Sequence, residues 1–127
     1  MFRGTKAFSS FSVDDLQRAK EFYGETLGLE LVEVPEGFEL HIAGSTPVFI
    51  YLSNNYTAPT HTVLNFPVED IEAAVDERAA RGVHMEHYHL PDIKTDERGI
   101  FRGESGPRAI AWFKDPAGHV LSVLQTE

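Results

Sequence analysis

The chain has 127 residues, with 20 acidic against 11 basic side chains, a formal net charge of -9 and no cysteine. These values exclude disulfides, thiolate metal sites, iron–sulfur clusters and cysteine nucleophiles, and they argue against nucleic-acid binding, which needs a basic surface. The length suits one compact domain, no apolar run approaches the roughly 20 residues of a membrane span, and a cytoplasmic location is expected.

An internal repeat relates the two halves of the chain. Residues 11–16 (FSVDDL) match residues 66–71 (FPVEDI), and each residue of the first segment lies 55 positions before its match. In each copy a short strand precedes an acidic helix start, where Asp14 is expected to cap the first helix. The helical periodicity of apolar residues ends at Gly28 in the first half and at Gly82 in the second.

Strand-like runs follow each predicted helix. Alternation and turn residues predict strands at 29–34, 38–42 and 48–52, and then at 83–88, 108–113 and 120–124. The order is therefore βαβββ twice, which places modules at residues 5–54 and 61–127 of a single domain spanning residues 1–127. Periodicity alone is also compatible with another α+β fold in which helices cover one face of a sheet.

Residues 90–107 interrupt the second half. They surround a charged run with glycine and proline, and they are long for a connection inside a compact domain. We interpret them as a lid, as an arm between two subunits or as a plain surface insertion.

Two segments carry a resemblance to a known family. Residues 111–124 (AWFKDPAGHVLSVL) predict a tight hairpin, since Pro116 presets its φ angle and Gly118 admits a positive one. Together with residues 22–30 (FYGETLGLE), this pattern resembles the vicinal oxygen chelate superfamily of glyoxalases, extradiol dioxygenases and bleomycin-resistance proteins. The resemblance implies an α+β fold, with two βαβββ modules forming a curved, barrel-like sheet around a central cavity. It does not assign a function, because one fold hosts several chemistries.

Many members of that superfamily hold a divalent metal with four side chains, usually His and Glu. Carried over through the shared motifs, the four positions fall on Phe8, Tyr51, Val63 and Ser122. Phe and Val offer no donor, and neutral Ser and Tyr are poor ligands, so we expect neither this metal nor another cofactor. Displaced ligands are the alternative, since Glu39 and His41 share a strand face, as do His87 and His89.

The residues that share a strand face with these positions are expected to line the cavity. Aromatic walls with a few neutral hydrogen-bonding groups are typical of a small-molecule pocket. The predicted ligand-binding residues are Phe8, Ser10, Phe49, Tyr51, Val63, Asn65, Trp112 and Ser122. Alternatively, the aromatic side chains only fill the core, and the polar ones hydrogen-bond to each other.

Three functions are compatible with these features. The first is a glyoxalase/bleomycin-resistance-like protein that lacks the usual metal site and binds a small aromatic or cationic molecule. The acidic balance suits such a guest, and the resemblance to sequestering bleomycin-resistance proteins implies a homodimer. The second is a glyoxalase-like lyase or isomerase, or a dioxygenase, with a displaced metal or metal-free acid/base chemistry. The third is a non-catalytic interaction module.

The sequence leaves three questions open. It does not name the ligand, and it does not decide whether the protein is an enzyme, although the usual metal-dependent lyase or dioxygenase chemistry is not expected. It also does not decide whether the modules pair within one chain or across two chains.

Overall fold

The computed structural model describes residues 2–103 and 109–126, which fall into two compact units divided between Ala58 and Pro59. The described elements, in chain order, are β1 Ser10–Val13, α1 Leu16–Lys20 with a π-helical continuation Glu21–Thr26, β2 Glu30–Val34, β3 Gly37–His41, β4 Val48–Leu52, β5 Thr62–Pro67, α2 Ile71–Ala80, β6 Ile100–Phe101, β7 Ala109–Lys114 and β8 Val120–Gln125. Each unit therefore has the order βαβββ, which confirms the predicted α+β fold. No helix in the described part of the chain is long and apolar enough to cross a membrane.

The two sheets have the same topology. Their strand orders are β1-β4-β3-β2 and β5-β8-β7-β6. In each unit the first strand runs parallel to the last one, and the other neighbours are antiparallel. The internal repeat of the sequence is thus a repeat of sheet topology.

Each sheet buries one face against its own unit's helix. In the second unit, Phe113, Leu121 and Val123 are fully buried, and α2 contributes the buried Ile71 and Val75. Burying a side chain of this size contributes about 1.5–3 kcal/mol, so this face holds the unit together. The opposite face of each sheet is more accessible, and the candidate binding residues described below lie on that face.

Polar side chains hold the helix starts and the last hairpin. The first helix is capped by Asp15, whose side chain accepts a hydrogen bond from Arg18 N at 3.1 Å, so the expectation of an Asp14 cap was wrong by one residue. The β7–β8 hairpin forms as predicted: Asp115 N donates to His119 O at 3.0 Å, and Gly118 has a φ of 93°.

The fourth strand of the second sheet differs from the prediction. Residues 83–88 form only an isolated bridge, between Met85 and Phe113. β6 pairs instead with Ile110 and Ala111 farther along the same edge of β7. The predicted start of β7 at Arg108 lies outside the described residues, as do Gly106 and Pro107 of the 90–107 segment.

A turn held by the Asp96 side chain positions β6 at that edge. Asp96 Oδ1 accepts hydrogen bonds from Arg98 N and Ile100 N, both at 2.9 Å. The Arg98 guanidinium then reaches α2, at 2.6 Å from Glu72 and 3.3 Å from Asp76. This part of the 90–107 segment is attached to the helix and is not a free surface insertion.

Candidate functional site

The accessible face of the second sheet carries a groove of about 270 Å³. This volume is close to the lower end of the range of small-molecule pockets. Its lining residues, all from the second unit, are Thr60, His61, Thr62, Tyr88, Leu90, Ile93, Trp112 and Val120.

Trp112 is the centre of an aromatic cluster at this groove. Tyr88 meets it nearly edge-on, with ring centroids 5.5 Å apart and an interplanar angle of 72°. Phe101 lies on β6 with its ring centroid 6.4 Å from that of Trp112. Burial, followed by the negative charge of Glu86, raises the pKa of Tyr88 above its ordinary value. Its phenol therefore stays protonated and can donate a hydrogen bond to a ligand.

A small hairpin of residues 88–95 forms one wall of the groove. Tyr88 N donates to the Thr95 hydroxyl at 2.9 Å, and Thr95 N donates to Tyr88 O at 3.0 Å. The chain reverses between Leu90 and Ile93, where Leu90 N donates to Ile93 O at 2.9 Å. None of these residues is among the predicted ligand-binding residues, although the 90–107 segment was interpreted as a possible lid. The available signal was the alternation of Tyr88 with Leu90 ahead of Pro91.

A β-bulge decides which residues of β5 face the groove. Thr62 pairs with Val120 and Leu64 pairs with Leu121, so Val63 is an extra residue in the strand. The bulge interrupts the alternation, and Thr62 takes the face on which simple alternation places Val63. Val63 is accordingly not among the lining residues.

Three predicted site residues lie in one row across this sheet. The pairing registers join Asn65 to Ser122 and Ser122 to Trp112. The buried Ser122 hydroxyl donates a hydrogen bond to Asn65 Oδ1 at 2.5 Å. The two polar side chains therefore satisfy each other, one of the alternatives that the sequence left open.

The accessible face of the first sheet has a different composition. Ser10 pairs with Phe49, and Phe49 also pairs with Glu39, so the three lie in one row. The rings of Phe49 and Tyr51 are stacked, with centroids 5.4 Å apart and planes inclined by 19°. Phe8 precedes β1 and is 65% exposed.

Glu39 and His41 form a pair on this same face. His41 Nε2 lies 3.0 Å from Glu39 Oε1, and both side chains are 36% exposed. The sequence predicted that the two residues share a strand face, whereas their position beside Phe49 follows from the β3–β4 register. A carboxylate beside an imidazole can bind a cation, a proton or, with further ligands, a metal ion.

The strand registers allow the family's metal positions to be compared between the repeats. Ser10 and Asn65 are equivalent in the repeat; Asn65 pairs with Ser122, and Ser10 pairs with Phe49. The counterpart of Ser122 on β4 is therefore Phe49, whereas motif spacing gives Tyr51. Neither residue carries a carboxylate or imidazole, so the donor set does not fit such a metal at either register. Within residues 2–103 and 109–126, no group of three or more His, Asp or Glu side chains could hold a metal ion.

Solved structures with the same fold cover almost the whole chain. A glyoxalase family protein from Enterococcus faecalis has a TM-score of 0.69 at 23% identity, over 98% of this chain and 99% of that one. The fosfomycin resistance protein FosX from Listeria monocytogenes has a TM-score of 0.68 at 19% identity, over 100% and 96%. TnmS3, an antibiotic binding protein from Streptomyces sp. CB03234, has a TM-score of 0.59 at 23% identity, over 98% of both chains.

The sequence itself identifies the family. No curated protein matches the chain. Residues 8–123, however, match the family model of the Glyoxalase/Bleomycin resistance protein/Dioxygenase superfamily, and this match spans both compact units. The chain therefore belongs to the glyoxalase/bleomycin resistance protein/dioxygenase superfamily.

Proposed function

We propose that this protein binds a small aromatic molecule in the Trp112 groove of its second unit, without a metal ion. The observation that carries the proposal is the composition of the groove. The Trp112 indole and the Tyr88 phenol line it, Leu90 and Ile93 add apolar contact, and no Asp, Glu, Lys or Arg is among the lining residues. Such a surface favours an apolar, planar guest.

The groove also has groups that can orient a guest. The hydroxyls of Thr60, Thr62 and Tyr88 can each donate or accept a hydrogen bond. Aromatic stacking contributes about 0.5–1.5 kcal/mol beyond the area that it buries. A positive charge on the guest is compatible with the net charge of -9, which raises the local concentration of cations.

The superfamily includes glyoxalases and dioxygenases as well as resistance proteins, and we use the residues at its metal positions to choose between binding and catalysis. TnmS3 is described as an antibiotic binding protein and FosX as a fosfomycin resistance protein. At 23% and 19% identity, these two proteins share the fold with this chain, and we do not infer the ligand of this chain from theirs. The lack of carboxylate and imidazole at Phe8, Phe49, Tyr51, Val63 and Ser122 favours binding over metal-assisted chemistry.

We propose further that the protein acts in the cytoplasm as a homodimer. Light scattering after size-exclusion chromatography tests the homodimer.

Fluorescence titration tests the groove directly, because Trp112 is the only tryptophan of the chain. We expect acridine or N-methylacridinium to quench its emission saturably, with a dissociation constant of about 100 μM or tighter. Tyr88→Ala should weaken binding about fivefold to twentyfold, because the ring that flanks Trp112 is lost.

The matched control is Phe2→Ala, which removes an aromatic ring that is 78% exposed and outside the groove. This variant should bind both probes like the unaltered protein. Linear, non-saturating quenching of Trp112, or equal losses in the Tyr88→Ala and Phe2→Ala variants, would overturn the proposal.

A second candidate function rests on the Glu39–His41 pair. A lyase or isomerase could use it as a displaced metal site or as an acid/base pair, since its atoms are 3.0 Å apart. Catalytic zinc takes three protein ligands, however, and this pair supplies two. Stabilisation by Zn²⁺ or Ni²⁺ that disappears in His41→Gln would move this candidate to first place.

A further inference from the structure

We infer that the edge of the first sheet at β2 is a docking surface for an extended, basic peptide segment of another protein. The segment adds to β2 as a further antiparallel strand and places its basic side chains in a groove between β2 and the helix of the first unit. This surface shares no residue with the Trp112 groove or with the pair of rings at Phe49 and Tyr51, so it goes beyond the function proposed above.

The backbone of β2 has hydrogen-bonding groups at the sheet edge. Among the strands that the structure describes, β2 pairs with β3 alone. The two-residue turn at positions 35–36 makes Val34 and Gly37 a hydrogen-bonded pair, and such pairs alternate with non-bonded ones along an antiparallel ladder. The N–H and C=O groups of Leu31 and Glu33 therefore point away from β3. An edge of this kind can accept another strand.

A groove of about 400 Å³ lies beside this edge. One wall is formed by Leu31 and Glu33, which lie opposite fully buried residues of β3 and thus on the helix side of the sheet. The other wall is formed by helical residues between positions 17 and 25. Helix and strand meet closely at Gly24, where a Cβ atom would lie 3.0 Å from Leu31 Cδ1. Opposed residues of paired strands share a face, so alternate side chains of an added strand enter this groove.

The charges at the groove select a basic partner. Three glutamates line it: Glu21, Glu25 and Glu33. Its single basic lining residue, Lys20, already forms an ion pair with Glu33. Glu30 adds another carboxylate on β2 itself. This excess of negative charge favours lysine or arginine on the added strand, and it disfavours a second copy of this chain, which would bring two acidic edges together.

The test is a titration of the ¹⁵N-labelled full chain, followed through its amide resonances. The probe is a peptide of three alternating lysine–threonine units, acetylated and amidated at its ends. It should shift the amides of Leu31, Glu33 and the π-helical continuation of α1 saturably. Because the surface is exposed and the peptide must become ordered, we expect a dissociation constant on the order of several hundred micromolar. The same peptide with glutamate in place of lysine should leave these amides unchanged.

Backbone methylation of the peptide tests the strand pairing. In the antiparallel arrangement, the peptide residues opposite Leu31 and Glu33 direct their side chains into the groove and their N–H groups toward β2. Methylation of the three lysine amide nitrogens should therefore weaken binding by about tenfold or more. Methylation of the three threonine amide nitrogens, which point away from β2, should weaken it by less than about threefold. Equal losses, or a larger loss for the threonines, would overturn strand addition.

Charge reversal tests the groove. Glu25→Lys should weaken binding of the lysine peptide by about fivefold to tenfold, because it places a like charge beside the peptide. The matched control is Glu69→Lys, which reverses a charge at an exposed position of the second unit and should change binding by less than about twofold. The amide spectrum of each variant shows whether it is folded.

Three further results would overturn the inference: no saturable shift with the lysine peptide, equal shifts with the glutamate peptide, or equal losses in Glu25→Lys and Glu69→Lys. The first would mean that the acidic edge only keeps copies of the protein from pairing. None of these results changes the expectation for acridine at Trp112, so the two proposals fail separately.

Discussion

Gly99 shows how a single residue determines where β6 can form. Its φ is +86°, and a Cβ atom at this position would lie 2.8 Å from Glu86 O and 3.0 Å from Met85 Cβ. The absent side chain thus lets the Asp96 turn approach the 83–88 segment. Both the backbone conformation and the close approach require glycine here.

We expect Gly99→Ala to lower the free energy of unfolding by about 2–4 kcal/mol, because strain at positive φ and the steric clash add. Gly44→Ala is the control, since Gly44 has a φ of +74° and open space around the missing Cβ. It should cost only about 1 kcal/mol. Denaturant unfolding measures both values, and equal losses would show that the approach to Glu86 is not tight.

Asp96 makes the stability of the protein depend on pH. Partial burial alone would raise the pKa of this carboxyl, but hydrogen bonds from Ile100 N and Arg98 N and the ion pair with Arg102 lower it below its usual value. A carboxyl whose folded-state pKa is depressed stabilises the fold above its unfolded-state pKa of about 3.9. It loses that contribution as the pH falls through the folded-state value.

Asp96→Asn should therefore lower stability at neutral pH, by about 1 kcal/mol because the carboxylate is half-exposed. The difference from the unaltered protein should shrink as the pH falls below about 4. Thermal unfolding between neutral and acid pH measures this difference. The exposed Asp92→Asn serves as the control, and a loss that persisted unchanged in acid would contradict the assignment.

At the scale of elements, the caps specify where the helices begin. Asp15 caps α1, and Asp70 caps α2 by accepting hydrogen bonds from Glu72 N and Ala73 N at 3.1 and 3.2 Å. We predicted Asp14 as the cap from the sequence, although Asp14 and Asp15 are both acids at the start of the same apolar pattern. The structure distinguishes them because Asp15 has the extended backbone of a cap and its side chain accepts a hydrogen bond from Arg18 N.

Asp15→Ala should accordingly cost about 1 kcal/mol of stability, as expected for a lost N-cap. Asp14→Ala should cost less than about half of that, because it changes only the charge near the helix start. Chemical denaturation of the two variants decides between them. A larger loss for Asp14→Ala would show that the helix begins one residue earlier.

At the scale of the whole molecule, the donor set predicts the response to metal ions. We expect protein purified without a histidine tag to contain far less than one metal per chain. Its melting temperature should stay constant when Ni²⁺, Zn²⁺, Mn²⁺ or Fe²⁺ is added, because a ligand that does not bind the folded state cannot stabilise it. Elemental analysis and a thermal shift series measure both quantities. About one metal per chain, with stabilisation, would favour the catalytic alternative.

Most of the architecture could be predicted from local signals in the sequence. The β7–β8 hairpin follows from Pro116 and Gly118, the repeated order βαβββ follows from periodicity and acidic helix starts, and the family follows from the same motifs. Each of these signals acts between residues a few positions apart. Turn conformation and the order of elements depend on such neighbours, so the sequence alone was sufficient for them, although it placed the cap of α1 one residue too early.

The composition of the candidate sites was decided by the tertiary structure. Our predictions did not include the bulge at Val63. They also did not include the division of the β7 edge between Met85 and β6, or the register that puts Glu39 opposite Phe49. These features depend on hydrogen bonds between strands, as does the bond from Ser122 to Asn65 across 57 positions of the chain. Because a shift of one residue in such pairing turns a side chain to the other face of the sheet, only the paired strands determine which residues meet a ligand.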